Sequence, residues 1–549
     1  MKKKLKITFI SLTDGVDVIS LRFLSAFVKR GGFSSELILL PRTYSEGLGS
    51  DVSFLYPYSN SVLEQLVEKC SKSDLIGLSL MTCHLDNAVL ITNYLRKHLT
   101  CPIIWGGIHP TIRPFECIKY ADMVSIGEAE LSLSALLTEM SDGKSWKSIS
   151  IPGIVKSGDD SKKLVPGPIL EELSELPQPD YDFNDQYILY KDNQIIPLAK
   201  EIFSRCMYGI YRIATTRGCP YSCAYCCNNA LNKIYCRKLP LRHRPIIDVI
   251  KELKIAKKDF IGIREIVITD DAFFAQPQER LVKFASEYKK KINLPFSVLT
   301  TPATFTLTNA RILGDAGLYA AAIGIQSACL RTRKEIFKRY DKLEQVLSVG
   351  DVISQIAKET KKTIFMRYDI ILDNPWESDA DLEESIRFIL KLKRPVELTL
   401  FSLTFYPGTE LYEKAHKDGF IKDDLNQIYR KSQLAPTRTY LNAMFALAGL
   451  GMSKFLVEKL LSKKINRKHL VGFLYFLISV YKFKNGMRSV ITKGILKGNF
   501  TWIKHIYTYS MDVVTQKINT KRHTDLKRFK GDVGELTFKK KKSNNKNRK

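Results

Sequence analysis

Three thiols share one short segment, Cys219-Pro-Tyr-Ser-Cys223-Ala-Tyr-Cys226, introduced by Arg217-Gly218. Thiolates are soft ligands, and three of them in so tight a loop suit an iron–sulfur cluster. With four irons and three cysteines, one iron is left open, and an open metal position is where chemistry happens. A zinc site would need a fourth ligand. Cys227 is adjacent to Cys226, too close for easy tetrahedral closure, while Cys236 and His243 are within reach along the chain. A disulfide loop does not suit a reducing compartment.

The loop needs elements to hold it. Tyr211–Thr216 reads as a strand feeding the cysteines. Ile263–Asp271 reads as a buried strand ending in the carboxylates Asp270 and Asp271, of which one can cap the following segment. Ala321–Ser327 reads as another strand, followed by a helix over Thr332–Arg339, and further strands fall at Tyr368–Asp373 and Thr399–Phe405. Upstream, strands at 5–12, 35–40, 74–80, 101–105 and 123–126 alternate with helices at 18–29, 62–70 and 86–98. That alternation predicts a parallel, doubly wound sheet whose ligands sit beyond the carboxyl ends of the strands. Gly106, Gly107 and Gly127 fall at such ends, where glycine lets a ligand approach the backbone.

These motifs carry a resemblance. Cys219, Cys223 and Cys226, then Gly324-Ile-Gln326-Ser327 with Lys338-Arg339, then Tyr368-Asp369 leading to Pro375-Trp-Glu377-Ser378, and the exit Pro407-Gly408-Thr409, resemble in order the core of radical S-adenosylmethionine (SAM) enzymes of the elongator, methylthiotransferase and coproporphyrinogen-oxidase type. The resemblance implies a [4Fe-4S] cluster on the three cysteines. In that family SAM chelates the open iron and is cleaved to a 5′-deoxyadenosyl radical, which the resemblance implies here. It also implies SAM contacts from Tyr225 (adenine), Asp270 (amino group), Gln326, Arg339 and Asp369 (ribose hydroxyls). Asp373 and Trp376 depart from the pattern, which has glycines there.

Residues 1–145, with Gly106-Gly107-Ile-His109-Pro110-Thr111 and Gly127-Glu128-Ala-Glu130, resemble the cobalamin-binding domain of B12-dependent radical SAM enzymes. That implies cobalamin against Ser11, Ser79, Gly106, Gly107 and Gly127. The motif Asp-x-His-x-x-Gly, whose histidine ligates cobalt, is absent, and His109 is expected to be structural. Residues 146–200 are expected to be a connector with little regular structure, 201–430 the radical SAM core, and 431–549 a helical basic extension with a disordered tail. The fold class is thus α/β: a Rossmann-like sheet, a partial (β/α)6 barrel and C-terminal helices.

The family implication is methylation of an unactivated carbon, with an electron donor such as flavodoxin or ferredoxin. Radical cyclisation or carbon–carbon coupling is the alternative. A methylthiotransferase is disfavoured, because Cys70, Cys83, Cys101 and Cys117 are scattered and the C-terminal region looks helical. A cluster- or zinc-stabilised binding protein would not need Gln326, Arg339 and Asp369 as a set.

Eleven cysteines without regular spacing outside the loop argue against an extracellular framework, and a cytoplasmic location is expected. The basic, apolar N-terminus fits a strand better than a signal peptide. About 22 of the 28 net positive charges lie after residue 430. There the apolar run 470–481 is too short to span a bilayer. A small-molecule or lipid-like acceptor is expected and a nucleic-acid partner is not; the apolar, basic helices suit peripheral contact with the inner face of a membrane, a cover for the barrel or a dimer contact alike.

Overall fold

The computed structural model describes residues 4–41, 55–159, 164–462 and 467–489. The Lys539–Lys542 stretch and the rest of the expected tail lie outside the described residues.

Eight strands form the first sheet: β1 (Lys6–Ser11), β2 (Ser34–Leu39), β3 (Leu75–Ser79), β4 (Ile103–Gly106), β5 (Met123–Ser125), β6 (Ile154–Lys156), β7 (Gln186–Tyr190) and β8 (Gln194–Pro197). Their order is β6-β5-β4-β3-β1-β2-β7-β8. Residues such as Ile7, Phe9 and Ile10 in β1 and Leu75, Ile76 and Leu78 in β3 are buried whichever face they point to. Such runs form parallel strands covered by helices on both sides. The chain leaves β1 for β2 on one side and reaches β3 on the other, which puts the topological switch between β1 and β3. Register sets Ser11 opposite Ser79, and Ser79 opposite Gly106, in one row at the carboxyl edge.

The segment 146–200 differs from its expectation. It supplies β6, β7 and β8, which extend both ends of this sheet. Its proline-rich part is held by Arg22, fully buried, whose Nη1 donates to the Asp180 carbonyl (2.8 Å) and to Gln186 Oε1 (2.8 Å).

The second sheet holds β9 (Ile210–Ile213), then, past a small antiparallel pair β10 (Thr216–Arg217) and β11 (Arg242–His243), β12 (Glu265–Ile268), β13 (Phe296–Thr300), β14 (Leu318–Gln326), β15 (Phe365–Leu372) and β16 (Val396–Ser402). The six long strands pair in chain order, all parallel. No pairing joins β9 to β16 among the described residues, so this is an open (β/α)6 barrel.

The expected helix Thr332–Arg339 is instead one wide π-type turn, Thr332–Ile336. Buried Arg333 causes this by donating to the carbonyls of Ile325 (2.6 Å) and Ser327 (3.0 Å) and pairing with Asp341. The chain then reverses at Lys338, in the left-handed region at φ 50°. The expected helical extension opens with two helices, Tyr440–Gly449 and Lys454–Ser462, parted near Gly451 at φ 91°. A third helix spans Arg467–Ser489. No helix among the described residues is long and apolar enough to cross a membrane.

The two sheets share cores. Tyr412, Ile421, Ile428 and Tyr429, which follow β16, pack into the apolar cluster around Ile10, Leu78, Trp105 and Tyr120 of the first sheet. Polar contacts reinforce this: Tyr429 OH donates to Glu116 Oε2 (2.7 Å), Arg430 Nε to Asp86 Oδ2 (2.7 Å), and Arg113 bonds the Tyr412 hydroxyl.

Candidate active site

The cysteine loop leaves β10 and ends where Cys226 begins the helix Cys227–Ile234. The Ala224 amide donates to the Phe337 carbonyl and its carbonyl accepts from the Leu411 amide, both at 3.0 Å. The loop is thereby fixed between the exits of β14 and β16. Cys219, Cys223 and Cys226 are half-buried and free. Burial pushes the Cys219 thiol up to about 11, while hydrogen bonding from Cys227 brings Cys226 down to about 7.

Among the described residues only Cys329, Asp381 and Glu384 bring three potential metal-ligand atoms within 4.8 Å of one another. The three loop cysteines are not in such a group.

Beside the loop, the end of β14 carries two unusual features. A bulge interrupts the register between Gly324 and Gln326, and Gln326 takes φ 66°. A left-handed glutamine is strained, and such strain persists where the surroundings enforce it. Its amide folds over Gly324, where an added Cβ would lie 2.3 Å from Gln326 Nε2 and 3.5 Å from Arg339 Nη1. Gln326 Oε1 is buried with no hydrogen-bond partner. Arg339 Nη1 donates to Tyr225 OH (3.2 Å) and its Nε pairs with Asp341 (2.9 Å). Asp369 sits opposite Gly324 in the register. Burial raises its pKa, and its Oδ1, 3.3 Å from Arg367 Nε, completes no hydrogen bond. Tyr225, Gln326, Arg339 and Asp369 thus converge on one spot with unmet acceptors, which suits a ligand rich in N–H and O–H donors such as SAM.

Asp270 does not join them. Its carboxylate accepts from the Thr215 amide (2.6 Å), the Thr216 amide (3.1 Å) and the Thr215 hydroxyl (2.5 Å), and burial pushes its pKa up to about 6. It serves the backbone leaving β9. The neighbour Asp271 is the carboxylate on the loop side, accepting from Asn228 Nδ2 (3.0 Å), two residues beyond Cys226.

On the first sheet, Ser11, Ser79 and Gly106 form their row, and a Cβ at Gly106 would meet only Ser125, at 3.8 Å. That glycine leaves real space. The other two glycines answer to the protein itself. A Cβ at Gly107 (φ 104°) would lie 2.7 Å from the Leu80 carbonyl, and one at Gly127 (φ 84°) would lie 2.0 Å from the Tyr235 hydroxyl. Tyr235, at the end of the helix that the cysteine loop starts, accepts a hydrogen bond from the Glu128 amide (3.1 Å). His109 is fully buried, 3.2 Å from Thr82 Oγ1 and edge-on to Tyr429, with its pKa pushed down to about 3 by burial. It is a core residue.

Sequence reasoning missed an ionic clamp across the seam. Glu128 accepts from Arg242 Nη1 (3.0 Å), Arg242 Nη2 (2.5 Å) and Arg217 Nη1 (3.2 Å), and Glu130 accepts from Arg217 Nη2 (2.6 Å). The two acids of Gly-Glu-x-Glu therefore grip the arginine that introduces the cysteines. An arginine there with no acidic residue nearby in sequence was the available signal.

The profile of the B12 binding domain matches residues 6–137, and that of the radical SAM superfamily matches residues 213–389. The chain is a radical SAM enzyme with a B12-binding domain. An uncharacterized methyltransferase of Pyrococcus horikoshii is 24% identical over 67% of this chain and 74% of its own length. The bacteriochlorophyllide d C-12(1)-methyltransferase of Chlorobaculum tepidum is 22% identical over 82% and 90%. The radical SAM methyltransferase TsrM of Kitasatospora setae has the same fold, with a TM-score of 0.58 at 17% identity, over 75% of this chain and 76% of its own.

Proposed function

We propose that this radical SAM enzyme methylates an unactivated carbon of a hydrophobic or lipid-like small molecule. One observation carries the reading: the carboxyl ends of both sheets open onto a single seam. Tyr235 reaches Glu128 there, and Gly408, at the exit of β16, lies against both Ile112 and Ala230, where an added Cβ would sit 3.5 Å from each. Cofactors held on the two rims would face one another.

Cys219, Cys223 and Cys226 would hold the [4Fe-4S] cluster, Tyr225, Gln326, Arg339 and Asp369 would hold SAM, and Ser11, Ser79 and Gly106 would border cobalamin. When bound, these groups supply single-electron reduction, hydrogen-atom abstraction and a transferable methyl group. The chain's own work is positional. Arg339 fixes the Tyr225 hydroxyl, and the Gln326 bulge presents an amide oxygen. A donor of the flavodoxin or ferredoxin kind would feed the electron. The relatives act on large or aromatic acceptors by name, a bacteriochlorophyllide and, for TsrM, tryptophan. The apolar C-terminal helices favour a membrane-soluble acceptor here.

Anaerobic reconstitution with iron, sulfide and hydroxocobalamin tests this. About four irons and one cobalt should survive desalting, and Cys223→Ala should lose the iron while keeping the cobalt. Labelled SAM should then transfer methyl label to an organic-extractable acceptor. Iron without cobalt would remove the support for methyl transfer.

A further inference from the structure

The helix Arg467–Ser489 presents two apolar faces, and the protein covers one. Leu474 and Ile478, one turn apart, are buried against the helix Tyr440–Gly449, with Leu470, Val471 and Tyr475 beside them. On the opposite face Phe473 is 56% exposed, Phe476 63% and Val480 45%. Their spacing, i, i+3 and i+7, makes one stripe. Phe455 on the preceding helix is 73% exposed. Soluble surfaces rarely leave several phenylalanines bare together, and such patches mark an interaction face.

Charge indicates the occupant. The helix contains Arg467, Lys468, Lys482, Lys484 and Arg488 and no acidic residue. Its cations bracket the apolar centre, the arrangement of a helix lying in a bilayer interface. From residue 451 onward the chain has 25 Lys and Arg against 5 Asp and Glu. A second copy, also at +28, would be repelled, whereas an anionic lipid surface is attracted.

We infer that the Phe473–Phe476–Val480 face docks the enzyme on an anionic membrane, with the phenylalanines inserted among the acyl chains. This builds on the lipid-like acceptor proposed above. Vesicle binding needs neither cofactor nor acceptor, however, so the two fail separately.

The test is flotation of the full chain with vesicles of phosphatidylglycerol and phosphatidylcholine, and with phosphatidylcholine alone. Wild type should float with the anionic vesicles, less so at high salt, and not with the neutral ones. Phe473→Ser/Phe476→Ser should bind about a hundredfold more weakly, with an unchanged melting temperature because both residues are exposed. Three results would each overturn the inference: no flotation of wild type, equal flotation of the variant, or a wild-type dimer that the double substitution converts to a monomer without any vesicle binding. Methyl transfer in detergent that persists without flotation would leave the chemistry standing and remove only the docking.

Discussion

Replacing Glu128 with glutamine tests whether the seam is held by charge. Glu128 takes three hydrogen bonds from two arginines. Glutamine keeps the shape but offers one acceptor oxygen, and its amide N–H groups would face guanidinium N–H groups. A hydrogen bond to a charged group contributes about 1.5–3 kcal/mol, and breaking one partner of a buried ion pair costs about 3–5 kcal/mol. The Arg242 side chain is only 5% exposed, so its charge would be left with little beyond the Leu170 carbonyl. Arg217 and Glu128 retain some solvent contact, and Arg217 keeps Glu130. The lower end applies, about 3 kcal/mol, read as a fall in the urea midpoint with faster loss of iron from the reconstituted protein.

The pH dependence has a definite sign. Burial pushes the Glu128 carboxyl up, but the Arg242 hydrogen bond and the Arg217 charge outweigh it, and the net pKa is lowered. Its contribution is present above the ordinary glutamate pKa and is lost as pH falls through the lower folded value. The gap between wild type and Glu128→Gln should thus be constant near neutrality and close below about pH 4. A change under about 0.5 kcal/mol, the scale of an exposed pair, with iron retention unchanged, would refute the clamp.

Gly324→Ala should abolish SAM binding by equilibrium dialysis, with the fold intact by circular dichroism, because the new Cβ would land 2.3 Å from Gln326 Nε2 and drive that side chain into the ligand's space. For His109, burial sets the folded pKa near 3, below the ordinary 6.5. The folded state therefore excludes a proton that the unfolded chain binds, and stability should fall below pH 6.5 by about 1.4 kcal/mol per pH unit. His109→Gln should flatten that slope in melting curves taken from pH 7 to pH 5.

The parts of the candidate site legible in sequence are those where chemistry dictates residue type and spacing: the three cysteines, the Gly324-Ile-Gln326 motif with Arg339, and the strand-end positions Ser11, Ser79 and Gly106; the bulge at Gln326 is visible only in the structure. What it withheld depends on three-dimensional register. Asp270 and Asp271 are adjacent acids at one strand exit, and only the path of the backbone after β9 decides which of them is taken by Thr215 and Thr216. Gly127 reads as a ligand-facing glycine until Tyr235, 108 residues later, occupies its space. The short strands β6, β7 and β8 carry little local signal, since their pairing is decided by sheet edges formed from distant segments. The glycine-to-aspartate departure at Asp373 proves compatible with the turn. The residue keeps a glycine-like φ of 59°, and its carboxylate ties Ser402 (2.5 Å), the Thr437 amide (2.9 Å) and Asn442 (2.9 Å), lashing the C-terminal helices to the barrel.

The packing of Tyr412, Ile421, Ile428 and Tyr429 into the first sheet's core has a consequence during synthesis. The N-terminal sheet is translated first, yet one of its apolar faces is completed by residues made nearly 300 positions later. At about 5–20 residues per second, that face waits roughly a quarter of a minute to a minute before its cover emerges. Such contacts between distant parts of the chain slow folding and leave an intermediate with exposed apolar surface. The nascent chain thus passes through a window in which chaperones have something to hold, and a fragment ending near residue 145 would remain in that window permanently.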